Sequence, residues 1–115
     1  MSRVMLTASE ARLKSLQDVY VLREIRDLEE EVILAATAGA VEVIVATTST
    51  MAKNSTDTGY PLATEYFDTW NNSRDDRQKT LQMAKVIQYF SDLGYTIERQ
   101  INPVTQTTFQ WILAW

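Results

Sequence analysis

The sequence predicts an α+β fold in which a small antiparallel sheet packs against helices. Three observations lead to this prediction. A stretch without Gly or Pro runs from residue 8 to 38, a β-branched stretch and two shorter amphipathic stretches follow it, and two alternating stretches end the chain. The 115 residues are the length of one domain, 1–115. We expect segment 8–38 to be an assembly arm on an α+β body formed by residues 40–115.

The first element is a long helix. Thr7 and Glu10 have the spacing of a capping box, and Gly39 stands where a left-handed C-terminal cap is needed. A helix over 8–38 would be about 45 Å long, whereas a compact domain of this size has a radius of gyration of roughly 13 Å. It would therefore project beyond the body and expose its apolar stripe to another chain. The predicted interface residues are Leu13, Leu16, Tyr20, Ile25, Leu28 and Val32.

The middle of the chain predicts one strand and two helices. The β-branched residues 41–47 indicate a strand, and the polar segment 47–60 indicates a loop. Pro61 is suited to the first turn of a helix that reaches about Trp70. Ser73 is the predicted N-cap of the next helix, which Gly94 ends.

The C-terminal segment predicts a β-hairpin. Apolar and polar residues alternate over 95–101 and again over 109–115, and Asn102-Pro103 lies between them as a turn. One sheet of about three strands, packed on the second of the middle helices, would bury the aromatic residues. The predicted structural core is Met83, Ile87, Phe90, Phe109, Trp111 and Trp115.

Composition argues against several classes of function. The chain has no Cys and no His, so it lacks thiolate and imidazole chemistry, and we expect no catalytic residues, metal or cofactor. The net charge of -4 disfavours nucleic acid as a partner. No stretch approaches the roughly 18 apolar residues of a membrane span, and the start lacks a secretory pattern. We expect synthesis in a cytoplasm, with neither a membrane nor a small-molecule substrate as partner.

Several short patterns have both a functional and a structural interpretation. Asp57-Thr58-Gly59 matches the three-residue signature of aspartic proteases, but its polar surroundings favour a turn. The acid pairs Glu65 with Asp68 and Asp75 with Asp76 could act as paired carboxylates in glycoside hydrolysis or hold Mg²⁺ or Ca²⁺, but such acids are also typical of helix surfaces and helix starts. The run 29–31 of three glutamates is either a solvated face or a docking surface for a basic partner.

Basic residues near the middle helices allow one further interpretation. Arg74, Arg77, Lys79 and Lys85, together with the aromatic residues around them, could form a platform for a single-stranded nucleic acid. Aromatic residues at helical spacing more commonly build a core, and adjacent aspartates dilute the positive charge. We therefore expect these residues to be structural.

The last third of the chain resembles a known module. Residues 83–103 read Met-Ala-Lys-Val-Ile-Gln-Tyr-Phe-Ser-Asp-Leu-Gly-Tyr-Thr-Ile-Glu-Arg-Gln-Ile-Asn-Pro, and residues 108–115 read Thr-Phe-Gln-Trp-Ile-Leu-Ala-Trp. This pattern is similar to a module in small proteins of contractile-tailed cyanophages. The resemblance implies a virion structural protein or an uncharacterised protein, and it carries over no catalytic residues.

Together, the length argument and the resemblance predict a non-enzymatic phage virion structural protein. It would be an accessory or decoration-type component of the head, neck or tail that docks on other virion proteins and assembles with itself as a homo-oligomer. The alternative is an early phage protein that binds and redirects a host protein through the acidic run 29–31. A third hypothesis, an aspartyl protease, depends on Asp57 alone.

Overall fold

The structure is a computed structural model that describes residues 19–54 and 61–115. The fold is α+β, as predicted, with three helices and one three-stranded antiparallel sheet in these ranges. The elements are α1 (Val19–Thr37), β1 (Glu42–Val45), α2 (Pro61–Trp70), α3 (Arg77–Asp92), β2 (Thr96–Ile101) and β3 (Phe109–Ala114). The strand order is β1-β3-β2, so the last strand of the chain is the central one.

The sheet has one covered face and one open face. Alternate residues of a strand point to opposite faces, and the buried residues all fall on the same one, which we call the inner face. These residues are Val45, Ile97, Phe109, Trp111 and Leu113. Helix α1 packs over β1 and α3 packs over β2. The outer face carries exposed residues such as Glu42, Ile44 and Glu98.

Helix α1 is part of this core, which contradicts half of the predicted interface. Ile25, Leu28 and Val32 are buried against the sheet and α3 of the same chain, so they are not free to contact another protein, and that prediction is wrong. The described helix spans about 28 Å, less than the molecule's second principal extent of 36 Å. The helix therefore lies along the body, which covers only its core-facing side. Tyr20 is exposed, whereas Leu13, Leu16 and the predicted cap at Thr7 lie outside the described residues.

Two of the helices end as their glycines predict. Gly39 has φ +90° and Gly94 has φ +98°, the left-handed region that L residues rarely adopt. After α1, the N–H of Gly39 donates to Ala36 and the N–H of Ala40 donates to Ala35. After α3, the N–H of Gly94 and that of the next residue make the equivalent bonds. Both ends are complete Schellman motifs, which satisfy carbonyls that the helix leaves unpaired.

The junction between α2 and α3 differs from the prediction. Asn72, at φ 63°, closes α2 with a third Schellman motif, and the Ser73 hydroxyl donates to the Asp68 carbonyl of that helix. The N-cap of α3 is instead Asp76, whose carboxylate accepts from the backbone N–H of Lys79 at 3.1 Å. This bond lowers the pKa of Asp76. The prediction of Ser73 as the cap is wrong because the end of α2 already uses that side chain.

The structure buries most of the aromatic core. Met83, Phe90, Phe109 and Trp111 are buried, and Ile87 is partly buried against them. Trp115 is 40% exposed, so its prediction as a core residue is wrong. It follows the end of β3, and its ring meets Tyr95 edge-on with centroids 6.1 Å apart. At this position the helices no longer cover the sheet.

Candidate functional site

A buried carboxylate joins α1 to the turn after β1. Glu24 is fully buried and accepts hydrogen bonds from the Ser49 hydroxyl, from the Met51 backbone N–H at 3.1 Å and from the Trp111 indole N–H at 2.7 Å. Burial raises the pKa of Glu24 to about 7, although the three hydrogen bonds act in the opposite direction. The side chain therefore titrates near neutral pH while shielded from solvent.

Asp27 strengthens the same connection from the next turn of α1. Its carboxylate accepts from the Thr50 hydroxyl at 3.3 Å, and desolvation raises its pKa while the bonds from Thr50 oppose that rise. The Ser49 hydroxyl also accepts the N–H of Ala52, which closes the turn. Because Glu24 has no exposed surface, a substrate could not reach it unless the core opened. The hydrogen bonds of Glu24 therefore have a structural role, which is to hold α1 against the turn after β1.

The sequence contained a signal for Glu24 that our interpretation did not use. Glu24 stands three residues after Val21 and four before Leu28, so it lies on the buried stripe of α1. A charged residue on such a stripe needs hydrogen-bond partners inside the protein. The pattern alone could have shown that a polar partner was required. It could not have identified Ser49, Met51 and Trp111, which come from distant parts of the chain.

Arg99 occupies an aromatic site on the inner face of β2. Its guanidinium carbon lies 5.7 Å from the Trp70 ring centroid, 6.0 Å from that of Phe109 and 5.8 Å from that of Trp111. One of its nitrogens donates to the Met83 sulfur at 3.0 Å. Burial lowers the pKa of Arg99. Ring faces attract a cation, so Arg99 holds α2, α3 and β3 together at this edge of the sheet.

The residues with candidate chemistry are engaged in local structure. Glu65 forms ion pairs with Arg74 at 3.0 Å and with Lys79 at 3.8 Å. The Lys79 ammonium also lies over the ring of Tyr66, a buried residue bonded to Gln82. Within residues 19–54 and 61–115, no group of acidic side chains could hold a metal ion. Asp57 lies outside the described residues.

Helices α1 and α3 run in the same direction and leave a cleft between their C-terminal halves. The Tyr89 hydroxyl donates to Glu29 at 3.0 Å, and one turn further along, residues of both helices line the same cleft. The cleft has a volume of about 320 Å³. Its lining is Glu29, Val32, Ile33, Phe90, Leu93 and Tyr95. An opening of this size, apolar with one carboxylate at its side, suits one or two inserted side chains.

Exposed apolar residues continue from this cleft across one end of the molecule. Tyr95 lines the cleft and contacts the Trp115 ring, and the Trp115 N–H donates to the Val41 carbonyl at 3.0 Å. We call Ile33, Val41, Leu93, Tyr95 and Trp115 the end patch. Except for the half-buried Tyr95, their exposed fractions run from 40% for Trp115 to 67% for Val41. A connected apolar surface of this kind is typical of a protein-docking site.

The electrostatics of this end favour a cation. Both α1 and α3 finish here, and neither has a basic residue in its last turn to complement the negative end of the helix dipole. Glu29 lines the cleft, and Asp92, the last residue of α3, is next to Leu93. The end patch is therefore an apolar surface in a negative local field.

Neither the comparisons nor the helix lengths add a functional assignment. Protein-family models, curated proteins and solved structures gave no match to this chain. Among the helices of the described residues, none combines the length and apolar composition that crossing a bilayer requires.

Proposed function

We propose that this protein is a non-enzymatic assembly protein that binds another protein through the end patch. The observation that carries the proposal is the connected apolar surface around the cleft of α1 and α3. Its residues are exposed although the described part of the chain has a well-formed core, in which seventeen other apolar residues are buried. Leaving Ile33 and Leu93 in water is unfavourable, and contact with a partner would remove that cost.

The occupant of the cleft is a large apolar side chain flanked by lysine or arginine. The apolar walls formed by Val32, Ile33 and Phe90 accept the hydrophobic part. The carboxylate of Glu29 and the two helix C-termini attract the positive charge. A partner of this kind complements both the shape and the charge of the site.

The cyanophage resemblance of residues 83–103 and 108–115 supports a more specific proposal. It suggests an accessory or decoration-type component of the head, neck or tail, located in the virion, with other virion proteins and further copies of itself as partners. The alternative is an early phage protein that redirects a host protein, which the negative charge near Glu29 favours. Mass spectrometry of purified virions separates them, because only a structural component is present in a fixed copy number.

The docking proposal is tested by placing a charge in the patch. Ile33→Asp and Leu93→Asp should each reduce incorporation into virions by about tenfold or more, since a carboxylate would have to be desolvated next to Glu29. Leu81→Asp is the matched control, because Leu81 is a comparably exposed leucine of α3, the helix that Leu93 caps, and it does not line the cleft.

All three variants should unfold cooperatively, as circular dichroism would show. The proposal fails if Ile33→Asp and Leu93→Asp are incorporated as well as Leu81→Asp. If the protein is absent from virions, the same variants are tested for binding to the purified host protein it captures during infection. Equal binding by all three variants would also contradict a role for the end patch.

A further inference from the structure

Strand β1 lies at an edge of the sheet, and its outward backbone groups can be identified. The Trp115 N–H donates to the Val41 carbonyl, and β1 pairs antiparallel with β3 in the same register, with Val43 opposite Leu113. In an antiparallel pair, hydrogen-bonded and non-hydrogen-bonded residues alternate. Residues 41, 43 and 45 therefore bond to β3, and the N–H and C=O groups of Glu42 and Ile44 point away from the sheet.

This edge has only part of the usual protection against pairing with another strand. Natural edge strands are commonly kept short or carry charges, proline or a bulge; Glu42–Val45 is short and carries one charge, but it has no lysine or proline and its other residues are β-branched and apolar. Ile44 is 54% exposed on the outer face, beside Ile112 of β3. Among the described residues, no other strand pairs with the outward side of β1.

We propose that a second copy of this chain pairs with β1, antiparallel, around a two-fold axis at Ile44. This surface is separate from the end patch, and the proposal does not depend on the proposed function. A two-fold axis perpendicular to the sheet brings outward groups of both copies together and keeps the helices of both copies on one side. The product is a continuous six-stranded sheet with the order β2-β3-β1-β1-β3-β2.

The side chains select the register. With Ile44 opposite Ile44 of the second copy, an apolar row runs across the outer face from Ile112 through both Ile44 side chains to the second Ile112. This register keeps Glu42 away from its equivalent. A register with Glu42 opposite Glu42 would place like charges together, and one centred on Val43 would place Glu42 opposite Ile44. The Ile44-centred register is therefore favoured.

The helix above β1 adds apolar surface on the same side. Asp27 contacts Thr50 in the turn that follows β1, so this flank of α1 lies on the β1 side. Leu34 lies two turns further along the same flank and is largely exposed. A second copy paired at β1 would bring its own Leu34 towards the same region. The interface then includes helix surface as well as strand edge, which a stable dimer requires.

A single-cysteine scan tests the register because the chain has no Cys. Cα atoms of a directly opposed, hydrogen-bonded antiparallel pair are about 5.5 Å apart, which a disulfide can span. Ile44→Cys should therefore form a covalent dimer quickly under mild oxidation, on gels without reductant. Val43→Cys and Ile112→Cys are the controls. In the proposed register Val43 is not opposite Val43 of the second copy, and the Cα atoms of the two Ile112 residues are about 14 Å apart. Neither variant should therefore cross-link readily.

Light scattering on the wild-type full chain should give twice the chain mass of 13.1 kDa. Ile44→Lys should weaken dimerisation by at least about tenfold with little change in thermal unfolding. The proposal is overturned if the wild type remains monomeric up to millimolar concentration, or if Ile44→Cys cross-links no faster than Ile112→Cys. Preferential cross-linking of Val43→Cys would overturn the two-fold axis at Ile44. The cysteine variants decide the outcome even if Ile44→Lys does not fold.

Discussion

Glu24 is a carboxylate buried in a mainly apolar core, and its partners explain why it is tolerated there. Its two oxygens receive one hydroxyl, one backbone N–H and one indole N–H, and the described residues contain no buried side-chain polar atom without a partner. Removing the carboxylate would leave the donors of Met51 and Trp111 unpaired, at about 1–3 kcal/mol each. Glu24 therefore fixes the turn after β1 against α1.

The raised pKa of Glu24 makes stability depend on pH, with a definite sign. The folded protein binds the Glu24 proton more tightly than the unfolded chain, because the pKa is about 7 when folded and 4.5 ordinarily. Its stabilising contribution is therefore complete below pH 4.5 and is lost as the pH rises towards 7. The shift corresponds to a loss of about 3 kcal/mol. Asp27, whose pKa is also raised, acts in the same direction.

Glu24→Gln should remove most of this pH dependence, because the amide keeps the size of the side chain and does not titrate. Urea unfolding is measured at intervals from below pH 4.5 to above pH 7 for the wild type, for Glu24→Gln and for Glu30→Gln. The wild type and the exposed Glu30→Gln control should both lose stability with rising pH. A wild-type slope retained in Glu24→Gln would show that burial does not raise the pKa of Glu24.

At the scale of elements, the sequence predicted most boundaries because their causes are local. Gly39 and Gly94 end helices through a conformation that glycine adopts at low cost, and Asn102 turns the hairpin through its own side chain, which accepts the Val104 N–H at 2.9 Å. The start of α3 was missed by three residues. Ser73 and Asp76 are both good N-caps, and the choice between them depends on how α2 ends.

Gly94→Ala tests the contribution of one such element end. At φ +98° an alanine is strained, although its Cβ would meet no atom within 4 Å, so the cost comes from the backbone alone. We expect the free energy of unfolding to fall by about 1 kcal/mol. Ser91→Ala, an exposed substitution in the last turn of the same helix, is the control and should change stability little. A Gly94→Ala protein as stable as this control would contradict the role of the motif.

At the scale of the whole molecule, two helix–glycine–strand units flank one central strand. The units α1–Gly39–β1 and α3–Gly94–β2 run in the same direction, which brings both helix ends and the end patch together. The sequence could not predict this arrangement. An alternating pattern of apolar and polar residues identifies a strand but not the strands with which it pairs. Strand β3 pairs with β1, which lies far from it in the sequence. The cleft and the free edge of β1 both follow from that long-range pairing.

The same architecture changes what α1 is expected to do. The sequence predicted an arm whose apolar stripe, including Ile25 and Leu28, another chain would cover. In the structure these residues are within the core, and α1 packs on β1 and α3. A carboxylate at Leu28 would be buried without a partner, at a cost comparable with the 5–15 kcal/mol of stability typical of a domain.

Leu28→Asp should therefore abolish cooperative unfolding and most of the helical circular dichroism signal of the whole chain. Leu22→Asp, on the partly exposed flank of the same helix, should stay folded and lose no more than about 1 kcal/mol. If Leu28→Asp unfolds like the wild type and only an assembly is lost, α1 is dispensable for the body. The helix would then act as a separate arm, and the packing of α1 on the sheet would not be what stabilises the protein.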